Sequence, residues 1–236
     1  MTAFLFRDDA YLTSTPAVVV SVSNAGVALD QTIFYATSGG QPGDTGRIVR
    51  GDGTALAVTG AIHPEGDKSA IAHQLAPDAP PLQVGEPVTL ELDWTRRLKL
   101  MRMHTALHLV TVLLPYPITG AAVGEDKGRV DFNLPEVPDA AEVEAQLNGL
   151  VARDLPVSTE WITDEELAAN PGLVKSMNVK PPMGMGRVRL VRIGDVDLQP
   201  CGGTHVRSTG EIGRLKIGKI EKKGAINRRI SVLFAD

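Results

Sequence analysis

The sequence predicts an α+β protein, with a small β-barrel first and an α+β unit behind it. Three observations carry this. Residues 1–92 hold several short β-branched or alternating runs separated by Gly and Pro turns. Residues 96–114 form one long apolar-rich run without Gly or Pro. Strand-like runs return from residue 187 onward. The pattern changes near Trp94, so the chain divides into an N-terminal domain, 1–92, and a second domain, 93–236.

In the first domain, residues 17–23 (AVVVSVS) are β-branched and stop at Asn24 and Gly26. Residues 27–34 alternate, and residues 54–62 and 84–92 (VGEPVTLEL) read as further strands. Asp52-Gly53 marks a tight turn and residues 76–81 (APDAPP) a loop. In the second domain, residues 96–114 (RRLKLMRMHTALHLVTVLL) predict a largely buried helix that ends at Pro115. Residues 139–153 predict a second helix, opened by Pro138 and Asp139 with acids in its first turn. Residues 163–169 predict a short third helix, because Thr163 and Glu166 have capping-box spacing. Residues 187–193, 213–220 and 229–234 read as strands.

Composition excludes several classes. Hydrophobic residues make up 43% of 236, enough for a core, and no run approaches the ~20 apolar residues of a membrane span. A net charge of -4 argues against a protein that coats nucleic acid indiscriminately. Aromatics at 4% argue against an aromatic platform for single strands. One cysteine rules out a disulfide framework within the chain. With no signal-like N-terminus, the expected compartment is the cytoplasm.

The chain has five histidines and one cysteine, and four of these six form two ligand-like pairs. His104 and His108 are four apart on the predicted helix, so both imidazoles leave the same face. Cys201 and His205 flank a Gly-Gly turn in Gln199-Pro-Cys-Gly-Gly-Thr-His-Val206. One pair alone is weak, since two core histidines or a buried free cysteine are ordinary. Together, a thiolate and imidazoles suit one Zn²⁺ per chain. His104, His108 and Cys201 are the firm ligands, and His205 is either the fourth or yields to water or substrate. Thr105 follows His104, so the glutamate of an HExxH protease is missing. His63 and His73 read as surface or packing polarity.

HxxxH followed by CGGTH resembles the editing domains of alanyl-tRNA synthetases and their free-standing relatives, the AlaX family. Residues 34–46 (FYATSGGQPGDTG), Ile118-Thr-Gly120, residues 127–132 (KGRVDF), residues 197–206 (DLQPCGGTHV) and the run 207–230 resemble that family's blocks in the same order. The resemblance implies an aminoacyl-tRNA deacylase that hydrolyses the ester of mischarged tRNA(Ala), carrying serine or glycine. The length leaves no room for the synthetase's ATP-dependent module. Thr119 falls where the free-standing relatives place a hydroxyl-reading threonine. Residues 119–122 (TGAA) stand where the synthetase branch often has a glutamine.

Within this frame, backbone N–H groups of Gly202 and Gly203 are candidate oxyanion donors. Asp197 is a candidate partner for a ligand imidazole or the substrate ammonium. Gln41 and Asp44, in a loop made pliable by Gly39, Gly40, Gly43 and Gly46, are candidates to face the cleft or the tRNA end. The basic residues are uneven. Arg96, Arg97, Lys99 and Arg102 precede His104, and from residue 207 eight basic residues face three acids, a local +5. Arg102, Lys222, Lys223 and Arg228 are therefore candidate phosphate contacts. The alternatives are an editor of threonyl type acting on another tRNA, and a non-enzymatic zinc-stabilised RNA-binding module.

Overall fold

A computed structural model describes residues 2–177 and 186–235. The chain forms two compact units, Met1–Leu98 and Lys99–Asp236.

The first unit is a closed barrel. Its strands are β2 (Ser14–Ser23), β3 (Gly26–Leu29), β5 (Gly46–Arg50), β6 (Ala55–Ile62), β7 (Ala72–Leu75) and β8 (Pro87–Leu92), in the order β2-β3-β7-β6-β5-β8. A small parallel pair, β1 (Ala3–Phe4) with β4 (Gln31–Thr32), is separate from the barrel sheet. Closure removes the sheet edges that a short-stranded sheet would otherwise expose. Alternation sets the core: on β6, Leu56 and Val58 point in and Ala55, Ala57 and Thr59 point out. Leu29, Ile33, Phe34, Ile48, Ile71 and Leu90 are fully buried. His73 lies inside this core, between Thr32 Oγ1 at 2.8 Å and Val27 O at 2.9 Å. Burial pushes it down to about 4, so it packs as a neutral ring.

Two charges read as surface groups lie inside this unit. Arg97 and Asp44 are buried and form an ion pair, with Arg97 Nε donating to Asp44 Oδ1 at 3.0 Å. Arg97 also donates to Ala10 O and Ile33 O, and Asp44 accepts the Tyr35 N–H. Asp44 therefore does not face a tRNA end, and Arg97 does not belong to the basic face. The Gly-rich stretch is a closed turn, not a pliable loop. Ser38 and Gln41 exchange backbone hydrogen bonds of 3.0 and 2.9 Å across Gly39 and Gly40. Both glycines have positive φ, +57° and +84°, as a type I′ turn requires. A Cβ on Gly43 would collide with the Ala61 backbone.

The second unit takes most of α1 (Trp94–Leu113), whose first residues belong to the first unit. It has a four-stranded sheet in the order β14-β15-β10-β9. Its strands are β9 (Ile118–Ala122), β10 (Lys127–Asn133), β14 (Leu215–Lys222) and β15 (Asn227–Phe234). The helix lies close on this sheet, and a Cβ at Gly128 of β10 would come within 2.7 Å of Met103 Sδ. A second, three-stranded sheet has β12 (Arg187–Ile193) between β11 (Val157–Thr163) and β13 (Asp197–Pro200), all antiparallel. Helix α2 (Ala140–Ala152) is capped by Asp139 accepting from Glu142 N at 2.9 Å. Helix α3 (Asp164–Ala169) has the Thr163–Glu166 capping box in both directions. No helix among the described residues is long and apolar enough to cross a membrane.

Candidate metal centre

Helix α1 presents His104 and His108 one turn apart, both buried, with ring centroids 5.1 Å apart. Cys201 follows β13 directly, and its N–H donates to Arg189 O at 3.1 Å, extending the β12–β13 ladder by one residue. The chain then folds back through Gly202 and Gly203. Arg189 Nη1 holds that fold by donating to Cys201 O and Gly203 O, both at 2.9 Å. His205 is thereby brought over the helix, with its ring 4.3 Å from that of His104 and 4.6 Å from that of His108. Ligand atoms of His104, His108, Cys201 and His205 all lie within 4.8 Å of one another.

The donor set suits a tetrahedral N₃S metal site, and the two sulfur–nitrogen edges have the spacing it needs. Bond lengths near 2.3 Å to sulfur and 2.05 Å to nitrogen put sulfur and nitrogen about 3.6 Å apart. Cys201 Sγ lies 3.5 Å from His104 Nε2 and 3.3 Å from His205 Nε2. The surroundings also set the ligand tautomers. The Thr105 hydroxyl donates to Met101 O, so it meets His205 Nδ1 at 3.1 Å as an acceptor. The proton then sits on Nδ1 and the Nε2 lone pair faces the cluster. His108 Nδ1 lies 3.3 Å from Asp197 Oδ2, at ion-pair distance but off hydrogen-bond alignment. Asp197 itself accepts from Lys175 Nζ and, at 2.7 Å, from Gln199 Nε2. Thr111 Oγ1 joins both donors at 3.3 Å.

Electrostatics agree with this donor set. Burial raises the Cys201 thiol, but the imidazoles of His104 and His205 and hydrogen bonds to the sulfur bring it well below its ordinary value. Burial pushes His205 down to about 3, leaving it neutral. Burial opposes a charge on His108, yet Asp197 and Cys201 overcome it and raise the ring to about 9. Burial also opposes ionised Asp197, but His108 and Lys175 hold it at about 2. A thiolate and a neutral imidazole are ready to ligate. His108 must give up its proton to do so, which makes metal uptake pH-dependent.

The other sequence candidates differ in their surroundings. Gly203 N–H points at Cys201 Sγ, 3.4 Å away, so it is a donor to the sulfur and not to an oxyanion. Gly202 is exposed, with open space around its Cα. Thr119 lies on β9, its hydroxyl donating to Asp131 O at 3.2 Å and accepting from Asn227 Nδ2 at 3.1 Å. Gly39 and Gly40 are the exposed tip of their turn in the first unit, and Gln41 is buried beside them. Arg102 is half-buried, donating to Ile212 O at 2.8 Å with its guanidinium 4.4 Å from the Phe234 ring centroid. Arg228 is buried and donates to the carbonyls of Pro135, Gly224, Ala225 and Asn227. It is a hairpin clamp, not a phosphate contact. Lys222 and Lys223 are exposed, Lys223 with Glu221 at 3.2 Å. Thr105, Arg189, Lys175 and Gln199 support the cluster but escape sequence reasoning. Only Thr105 carries a signal, its place between the two histidines.

Comparison with known proteins places these features. Residues 188–231 match the model of the threonyl and alanyl tRNA synthetase second additional domain, and residues 9–96 that of class II (A) tRNA synthetases. The chain is 37% identical to the alanyl-tRNA editing protein AlaX-M of Methanosarcina acetivorans, over all of both chains. It is 32% identical to AlaX-M of Saccharolobus solfataricus, covering 98% of each. It is 38% identical to alanine–tRNA ligase of Pyrobaculum aerophilum, over 92% of this chain and 25% of that one. The barrel, the α+β unit and these relatives define the class, aminoacyl-tRNA deacylase. Within that class the full-length matches decide: the chain belongs to the AlaX family of alanyl-tRNA editing proteins.

Proposed function

We propose that this chain removes serine, and glycine, from mischarged tRNA(Ala) by hydrolysing the aminoacyl ester at a zinc centre held by His104, His108, Cys201 and His205. The observation that carries the reading is the convergence of one thiolate and three imidazoles within 4.8 Å in a chain of this family. When bound, zinc supplies Lewis acidity and lowers the pKa of water. The protein's own residues do the rest. Thr105 and Asp197 orient His205 and His108, and Arg189 and the Gly203 N–H hold the Cys201 turn. The Gly202 N–H is the remaining backbone donor for a developing oxyanion.

Serine adds a hydroxyl to alanine, and a site built to bond that hydroxyl rejects the residue lacking it. Thr119 is the proposed reader, because Asp131 O and Asn227 fix its hydroxyl on β9. The test is loss of ester from Ser-, Gly- and Ala-tRNA(Ala) and from a mischarged tRNA of another identity, with zinc quantified. Seryl and glycyl esters of tRNA(Ala) are expected to fall with the alanyl ester spared. Equal hydrolysis of the other tRNA would favour a threonyl-type editor, and none at all, with zinc loaded, a binding module. Thr119→Val should shift the Ser-to-Ala rate ratio toward alanine by roughly 5- to 100-fold, the value of one hydrogen bond to a buried partner. An unchanged ratio would remove Thr119 from the reading.

The tRNA backbone is proposed to follow the exposed Lys222 and Lys223 at the end of β14. Lys222→Glu with Lys223→Glu should weaken tRNA binding and flatten the log–log salt slope by about two. Binding and slope unchanged from wild type would move the path elsewhere.

A further inference from the structure

Trp161 is 39% exposed on β11, an edge strand of the three-stranded sheet. It pairs directly with Arg189 of β12, and Arg189 O accepts the Cys201 N–H on the far side. Trp161, Arg189 and Cys201 thus form one cross-strand row. Directly paired residues share a face, and so do residues two apart. Arg189, Val191 and Ile193 pair with the row and with Gln199 and Asp197, so Trp161 shares its face with Asp197. That is the face from which Asp197 reaches His108. Two interstrand spacings put the Trp161 backbone roughly 10 Å from that of Cys201. On the same face, the Arg187 guanidinium lies 4.9 Å from the indole centroid and covers one side of the ring.

We propose that the Trp161 indole, backed by Arg187, stacks the terminal nucleobase of the acceptor strand while its ester lies at the His104–His108–Cys201–His205 cluster. The proposal rests on the deacylase reading above. An aminoacyl ester sits on the ribose of the last nucleotide, so its own base lies one sugar away from the reacting carbonyl. That base is unpaired, and unpaired bases are held by stacking on aromatic rings and guanidinium planes. An aromatic content of 4% excludes an extended platform, but one terminal base needs one ring.

The test compares the full-length protein and Trp161→Ala on a seryl RNA minihelix and on the same minihelix lacking its terminal base. Trp161→Ala is expected to raise KM about 5- to 100-fold on the first, with kcat near wild type. It should have no effect on the second, and Trp161→Phe should keep most of the affinity. An unchanged KM on the first substrate, or an equal loss on both, would overturn the proposal. Stacking is also read without turnover. In Trp94→Phe protein, an uncharged minihelix should quench Trp161 fluorescence and its base-less counterpart should not. Quenching without hydrolysis would keep the stacking site and sink the deacylase reading. Hydrolysis without base-dependent quenching would do the reverse.

Discussion

Cys201→Ala is expected to lose the proposed zinc and to drop the proposed seryl-ester hydrolysis by more than 100-fold. Changes behind a metal ligand already cost about 10- to 100-fold in metal affinity or activity, and this change removes a ligand outright. Cys201 is also the only sulfur in the cluster. Its thiolate helps to hold the charge on the His108 ring, and it receives the Gly203 N–H. Without it, three rings with centroids 4.3–5.1 Å apart must hold a dication with no anionic ligand among them. Metal binding also contributes folding free energy. A chelator should therefore lower the Tm of the wild-type protein and leave that of Cys201→Ala nearly unmoved. Metal analysis and thermal melts with and without chelator check this. Full zinc retention in Cys201→Ala would refute the four-ligand centre.

The halves of that centre are legible in the sequence because each is local. Four residues on a helix put His104 and His108 on one face whatever surrounds them. A Gly-Gly turn between Cys201 and His205 lets a thiol and an imidazole face each other within five residues. The long helix and the cap of α3 are legible for the same reason, since periodicity and capping are short-range. The supporting shell is not. Lys175 reaches Asp197 across 22 residues, and Thr105 reaches His205 across 100. Neither contact leaves a spacing signal. Strands β9, β10, β11 and β13 also escape, since segments such as ITGAA and KGRVDFN mix Gly and charge with apolar positions.

Charge counting fails for a related reason. Arg97 and Arg228 sit in basic runs that look solvated, yet both are buried. A count reports sign and not burial: Arg97 is paired with the distant Asp44 carboxylate, and Arg228 donates to Pro135 O, 93 residues away, and to three carbonyls of its own hairpin. Of the four phosphate candidates, Lys222 and Lys223 are the two that stay exposed, alongside Arg207, Arg214, Lys216 and Lys219 of the same basic run.

Asp44→Ala is expected to destabilise the first unit by about 3–5 kcal/mol, the cost of removing one partner of a buried ion pair. Its side chain is 1% exposed, and the Arg97 side chain facing it is 0% exposed. The guanidinium would keep its bonds to Ala10 O and Ile33 O but lose its counter-charge with no solvent to replace it. Tyr35 N–H would also lose its acceptor. Urea unfolding in a Trp161→Phe background, where Trp94 reports on the first unit, measures the midpoint shift. Two comparisons separate charge from packing. Asp44→Asn keeps an acceptor for Tyr35 but not the charge, so it should remain strongly destabilised. Asp44→Asn combined with Arg97→Met removes both charges and should recover part of the loss, because an apolar replacement of a whole buried pair is often tolerated. A loss within about 1 kcal/mol for Asp44→Ala would mean that water reaches the guanidinium and the pair is not a dry one. Strict additivity in the double variant would show that the two side chains stabilise the barrel independently.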